Sequence, residues 1–151
     1  MVIKLVNYEK IFSYMNEYFQ SYSVIDVKGK TVIDIGADIG TSAFYFLCKG
    51  ANLVIAYSLE PQKFFDDKLV WRKNWKGEYI LGDVLKIDCE GCECLLTPNI
   101  IERYPEWYIA IHTFSNCFNP MKEYLENHGQ LVFITPDKKE YLYAKSLNTI
   151  K

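Results

Sequence analysis

The chain has 151 residues, with 17 Lys and Arg against 19 Asp and Glu and a formal net charge of −2. That length predicts one domain spanning residues 1–151 with room for one cofactor site, and the near balance of charge excludes a global attraction to nucleic acid or acidic lipid. Half of the residues are apolar and 24% are charged, a globular rather than a disordered composition. No apolar run reaches membrane-span length and residues 1–20 lack a signal-peptide core, so no membrane partner and a cytoplasmic location are expected.

Ile3, Val6, Ile11, Phe12, Met15, Tyr18 and Phe19 recur at helical spacing, so residues 1–30 read as a helical segment with Asn7 as a cap, ahead of a core over 31–151. Residues 31–35 form a continuous apolar strand, and residues 41–49 a helix that stops at Gly50. A second buried strand over 53–57 ends at Ser58-Leu59-Glu60-Pro61, and a helix is expected over 62–71. A short strand at 79–81, a Gly82-Asp83 turn, a strand at 84–88 and a helix over 98–103 follow. Residues 107–112 read as a further buried strand and 121–127 as a helix ended by Gly129. Residues 131–135 and 141–145 flank the polar turn Pro136-Asp137-Lys138-Lys139 as a terminal hairpin. Alternating strand and helix closed by a hairpin predicts an α/β fold: a Rossmann-like, doubly wound, mostly parallel sheet with a C-terminal antiparallel hairpin.

Two segments carry the chemistry. Val32-Ile33-Asp34-Ile35-Gly36-Ala37-Asp38-Ile39-Gly40 is a strand running into a glycine turn and a helix, a construction that brings backbone close to a nucleotide-like ligand. Its Gly36-x-x-x-Gly40 spacing is not the Gly-x-Gly-x-x-Gly of dinucleotide sites, and Asp38 would repel a pyrophosphate. Lys86-Ile87-Asp88-Cys89-Glu90-Gly91-Cys92-Glu93 ends another buried strand with a dense set of carboxylates. Together the two segments resemble the FkbM-type family of S-adenosylmethionine-dependent methyltransferases. Members of that family carry an Asp-x-Gly-Ala-Asn-x-Gly turn and a Lys-Ile-Asp-x-Glu-Gly-x-Glu motif.

The resemblance implies S-adenosylmethionine as cofactor, a class I methyltransferase-like fold and methylation of a small-molecule or glycan hydroxyl. It sets the amino-acid end of the cofactor against Asp34, Gly36, Ala37, Asp38 and Gly40. Asp38 replaces the family's Asn, so its charge either holds the ligand's ammonium or caps the next helix. Glu60, twenty residues beyond Gly40 at a carboxyl strand end, is placed to bind the ribose hydroxyls, a role the resemblance also gives it. The stretch over 61–85 is shorter than in most members, which leaves open a sheet one strand short of seven. Asp83 then either reaches the adenine amino group or simply makes a turn.

Asp88, at the carboxyl end of a central strand, is expected to orient the acceptor or take its proton; Lys86, Glu90 and Glu93 are read as substrate-binding, with helix capping or a structural corner as the alternative for the two glutamates. Lys86 is also placed to pair with one of the acids. His112 ends the strand over 107–112 and matches the histidine of a family Glu-x-His pair whose glutamate is here Ala110, which makes it a general-base candidate. His128, before Gly129, reads as a helix C-terminal cap. The five cysteines are an odd number, and Cys89, Cys92 and Cys94 crowd one corner, which favours reduced thiols. A zinc site lacks a second Cys-x-x-Cys pair, so no metal is expected.

Two alternatives to a small-molecule or glycan methyltransferase stand: a noncatalytic or degenerate cofactor-binding domain acting through partners, and a nucleic-acid-directed methyltransferase or binder. The second rests on the basic and aromatic run Lys68, Trp71, Arg72, Lys73, Trp75 and Lys76, against the reading of tryptophans tucked onto the sheet. A homodimer face built on Tyr104, Trp107 and Tyr108 competes with a tyrosine-rich core.

Overall fold

Continuous runs of β-branched and aromatic residues, punctuated by glycine and proline, make strands that bury both faces. In the computed structural model, which describes residues 21–147, seven strands form one sheet: β1 (Thr31–Ile35), β2 (Leu53–Tyr57), β3 (Leu69–Arg72), β4 (Val84–Ile87), β5 (Glu106–His112), β6 (Gln130–Ile134) and β7 (Glu140–Lys145). Their order is β3-β2-β1-β4-β5-β7-β6. The first five strands pair in parallel, and β7 inserts antiparallel between β5 and β6. The sheet therefore has all seven strands, and the shortened form left open by the sequence is ruled out. The expected helix over residues 1–30 falls largely outside the described residues.

Side chains alternate along the strands and sort into two cores, one on each face. Val32, Val54, Ala56, Val84, Tyr108, Ala110 and Leu142 pack with Tyr45 and Phe46 of helix α1 (Thr41–Cys48). Ile33, Ile35, Leu85, Ile87, Trp107, Ile109 and Tyr143 pack with Ile101 of α2 (Pro98–Ile101) and Leu125 of α3 (Phe118–His128). Tyr104, Trp107 and Tyr108 are at most 1% exposed, so they belong to the core and supply no dimer face. The Tyr108 hydroxyl ties the strand to the entering chain, donating to the carbonyl of Tyr22 and accepting from the Ile25 amide at 3.1 Å.

The expected helix over 62–71 is absent, and its second half is strand β3. Phe64 is fully buried against α1, and the Asp66 side chain accepts from the Lys68 amide in a tight turn, which leaves Leu69-Val70-Trp71 to extend along β2. Residues 79–81 form no strand. The Tyr104 hydroxyl satisfies their backbone instead, donating to the Ile80 carbonyl at 2.5 Å and accepting from its amide at 3.2 Å. Trp71 and Trp75 pack against the two cores, and Arg72 donates to the Tyr57 hydroxyl at 3.0 Å, so the basic and aromatic run is not an open stacking platform.

The cysteines also depart from expectation. Cys89 is bonded to Cys92 and Cys94 to Cys117, with Cα separations of 5.5 Å in both, and only Cys48 is free. Gly91, at φ 125°, turns the chain after β4 into a 3-10 turn over Cys92–Leu95. That turn folds Cys92 back on Cys89 and sets Cys94 against the residue preceding α3. His128 behaves as expected, its Nδ1 donating to the Tyr124 carbonyl at 2.7 Å at the end of α3.

Candidate functional site

The strand order reverses between β1 and β4, where an open α/β sheet places its crevice at the carboxyl ends. A cleft of about 760 Å³ opens there, lined among others by Gly36, Asp38, Glu60, Trp75, Asp88, Glu90 and Glu140. Its size is that of an ordinary small-molecule site, roughly 300 to 1,000 Å³.

The glycine turn forms its floor. Gly36 has φ 81°, and a Cβ there would lie 1.9 Å from the Asp88 carbonyl oxygen, so the loop after β1 touches the loop after β4 through bare backbone. Gly40, at φ 103°, leaves room for the Phe64 ring, which a Cβ would approach to 2.6 Å. The amides of Gly36 and Ala37 both donate to the Tyr57 carbonyl at 3.0 Å, and Ala37 is buried. These two amides are therefore spent on β2. Asp38 is exposed at φ 50° and lines the cleft. Helix α1 begins after Gly40 with no side-chain cap, so the capping alternative for Asp38 is not realised. Ser58 braces this corner, its hydroxyl donating to the Asp38 carbonyl at 2.6 Å and accepting from the Glu60 amide at 3.0 Å.

Asp34 and Lys86 are register partners on β1 and β4, and they form an ion pair at 2.9 Å beneath the turn. Both are at most 2% exposed. Ser42 donates to Asp34 at 2.6 Å, and Lys86 donates to the Gly36 carbonyl at 3.0 Å. Lys86 thus holds the glycine turn in place, and its ammonium is committed to Asp34 and backbone carbonyls. The substrate-binding reading of Lys86 and the ligand-contacting reading of Asp34 both give way to this buried support. Asp83 sits at the other end of the sheet, before β4, where it accepts from the Thr31 amide at 2.8 Å. It is a turn residue with no access to the cleft.

Asp88, His112 and Glu140 converge beside the turn. His112 Nε2 lies 3.6 Å from Asp88 and 3.7 Å from Glu140, and ligand atoms of all three groups fall within 4.8 Å of one another. Glu93 is fully buried behind them and does not reach the cleft. Its Oε1 accepts from His112 Nδ1 at 2.9 Å, the His112 amide at 3.1 Å and the Ser115 hydroxyl at 3.0 Å. Its Oε2 accepts from the Gly91 amide at 2.6 Å. Glu93 therefore positions His112 and is not a substrate contact, whereas Glu90, exposed at φ 51°, does line the cleft.

Burial pulls the His112 proton affinity down, but the Glu140 and Glu93 carboxylates and then the Asp88 charge outweigh it, and the imidazole is pushed up to about 10. At neutral pH, with nothing else bound, it keeps its proton, which works against the general-base role. Burial and the neighbouring Glu140 raise the Asp88 carboxyl well above the usual range, against the pull of Lys86 and His112. Burial pulls the Glu140 carboxyl up, but its neighbours His112 and Asp88, and then the Lys86 charge, outweigh it and hold Glu140 below its ordinary value.

Glu140 is the member of this cluster that motif reading missed. It belongs to no motif, and the antiparallel pairing of β7 with β5 sets it directly opposite His112. The signal was the hairpin register: if the strand starting near Tyr141 runs antiparallel to the one ending at His112, the residues at their touching ends meet.

Uncharacterized protein 65 of Sulfolobus islandicus filamentous virus (isolate Iceland/Hveragerdi) is 34% identical to the chain, over 96% of this chain and 99% of that one. Uncharacterized protein 158B of Sulfolobus islandicus rod-shaped virus 1 is 37% identical, over 87% and 91%. The chain belongs to one family with these two viral proteins. No family model matches it. Among solved structures it is similar to a candidate hemolysin from Lactococcus lactis, at TM-score 0.64 and 15% identity, covering 93% of this chain and 88% of that one. A candidate ribosomal RNA methyltransferase from Plasmodium falciparum gives TM-score 0.63 and 12% identity, over 92% and 96%. The 1,6-didemethyltoxoflavin-N1-methyltransferase of Burkholderia thailandensis, with bound 1,6-didemethyltoxoflavin and S-adenosylhomocysteine, gives 0.53 and 16%, over 90% and 84%. At such identities the likeness is one of fold, and the fold is class I methyltransferase-like.

Proposed function

We propose that this protein is an S-adenosylmethionine-dependent methyltransferase of FkbM type that methylates a hydroxyl of a small molecule or glycan. The observation that carries the reading is the donor set at the switch-point cleft. Asp38, Glu60, Asp88, Glu90 and Glu140 line it, against Lys73 and a Lys86 already committed to Asp34. Such a cleft suits a ligand with an ammonium, a sulfonium and a ribose diol, and it disfavours a phosphate-bearing one.

In this reading Glu60 accepts hydrogen bonds from the ribose hydroxyls and Asp38 faces the ammonium, with the turn over Gly36–Gly40 held rigid by the Asp34–Lys86 pair. The cofactor supplies an electrophilic methyl group, transferred to oxygen as the carbon–sulfur bond breaks and sulfur keeps the electron pair. The chain's own contribution is positioning, together with a destination for the acceptor's proton. Asp88 takes that proton because its carboxyl keeps a cleft-facing edge, 28% exposed, while His112 is 5% exposed and locked to Glu93.

Equilibrium dialysis against labelled S-adenosylmethionine tests the reading, comparing the intact protein with Glu60→Ala. Loss of a carboxylate bonded to both ribose hydroxyls is expected to weaken binding about tenfold or more. Equal affinity in the two proteins overturns the assignment of Glu60.

A further inference from the structure

We propose that Asp88, His112 and Glu140 bind one divalent transition-metal ion, of the Mn²⁺ to Zn²⁺ group, at the inner wall of the cleft. Geometry, histidine orientation and charge all lead there. The three side chains come from different strand ends, and their ligand atoms lie within 4.8 Å of one another. Donors at right angles or tetrahedral angles around a first-row ion, at roughly 2.1 Å each, stand about 3.0 to 3.4 Å apart. The observed 3.6 and 3.7 Å from His112 Nε2 need only a few tenths of an ångström of closure.

The histidine is prepared for an ion. Its side chain is 5% exposed, and the Nε2 atom aims at the two carboxylates from beyond hydrogen-bond reach. Its Nδ1 is bonded to Glu93 at 2.9 Å. A buried carboxylate on the far ring nitrogen is the arrangement that fixes tautomer and ring orientation in metal-binding histidines. Glu93 is itself immobilised by the Gly91 amide, the His112 amide and the Ser115 hydroxyl, so the orienting group cannot swing away.

Charge points the same way. Asp88 and Glu140 converge on the Nε2 side of His112, with a third carboxylate, Glu93, on its Nδ1 side, while Lys86 is paired with Asp34. A dipositive ion between them would neutralise the pair. One imidazole and two carboxylates suit ions between the hard and the borderline, and three protein donors leave positions open toward the cleft. The partial exposure of Asp88 and Glu140, 28% and 23%, gives the ion a path in. An acceptor oxygen could occupy an open position; that consequence rests on the methyltransferase reading, whereas ion binding does not.

The test is a titration of the intact, oxidised protein with Mn²⁺ alone, followed by electron paramagnetic resonance and calorimetry. Mn²⁺ is indifferent to the free thiol of Cys48, which would complicate Zn²⁺. One tightly bound ion per chain is expected, with affinity reduced at least about tenfold in Asp88→Asn and in Glu140→Gln, whose partly exposed side chains should tolerate replacement. Glu93→Gln, which touches no ion, should weaken binding by about 10- to 100-fold. A Glu123→Gln control on α3 should bind as the parent does. Millimolar binding in the intact protein, or affinity unmoved by Asp88→Asn and Glu140→Gln in folded variants, overturns the site. A parallel titration with S-adenosylhomocysteine separates the two claims: Mn²⁺ bound without it sinks the methyltransferase reading alone, and the reverse sinks the metal site alone.

Discussion

A single oxygen of Glu93 accepts hydrogen bonds from both the Nδ1 and the backbone amide of His112, at 2.9 and 3.1 Å, across nineteen positions of sequence. Glu93 thereby fixes where the imidazole points and how tightly it holds its proton. Replacing Glu93 with Gln keeps the shape and removes the charge. The burial that lowers the His112 pKa would remain while one of the carboxylates raising it disappears. In the metal-free protein a nitrogen-resolved NMR titration is expected to show the imidazole midpoint falling from about 10. An unmoved midpoint would mean that Glu140 and Asp88 alone set it.

The same pKa predicts how stability varies with pH. In the folded chain His112 holds its proton up to about 10, whereas the unfolded imidazole releases it near 6.5. Between those values the native state binds the extra proton, so the histidine's contribution is complete below 6.5 and is lost as pH rises. The raised Asp88 carboxyl acts in the same sense at lower pH. Thermal midpoints of the metal-free protein recorded from pH 6.5 to 9.5 should therefore fall, with a slope of at most about 1.4 kcal/mol per pH unit from this group. The slope should flatten in His112→Asn; a parallel decline in both proteins contradicts the assignment.

Gly36 and Gly29 make a matched pair for testing the turn. Both have positive φ, 81° and 73°, but a Cβ at Gly29 meets nothing within 4 Å, while one at Gly36 strikes the Asp88 carbonyl at 1.9 Å. Gly29→Ala should cost about 1 to 2 kcal/mol, the left-handed penalty alone. Gly36→Ala should cost far more, because β1 and β4 must separate at the site. Chemical denaturation measures the difference, and equal costs would show that the close approach is not obligatory.

The disulfide between Cys94 and Cys117 closes a loop of twenty-three positions. By chain entropy a loop of that length is worth roughly 3 kcal/mol, more than the three-position loop of Cys89–Cys92 can supply. Cys94→Ser with Cys117→Ser should accordingly lower the thermal midpoint well below that of Cys89→Ser with Cys92→Ser. The opposite ranking would place the main restraint at the cleft.

How much of this was legible in the sequence depended on whether local pattern or long-range pairing decided the outcome. The bounds of β1 and β2 were readable to the residue, since continuous apolar runs ending in Gly36 and Ser58 admit little else. The helix expected over 62–71 gives way to the pairing of Leu69-Val70-Trp71 with β2 and to Phe64 plugging the space beside Gly40. At the site, Asp88 and His112 were visible as strand ends. Glu93 and Lys86 were visible as chemistry but misassigned, because only the fold reveals that one supports His112 and the other Asp34. Glu140 became visible only through the register of β7 against β5. The cysteines were misread because counting and spacing cannot report the fold-back at Gly91 that pairs them.

Calorimetric titration of the intact protein with S-adenosylhomocysteine tests the central claim most directly. The acid-lined cleft at the β1–β4 switch point predicts one site per chain with micromolar affinity. Absence of heat up to millimolar ligand, with the protein folded, would contradict it and leave a methyltransferase-like fold put to another use.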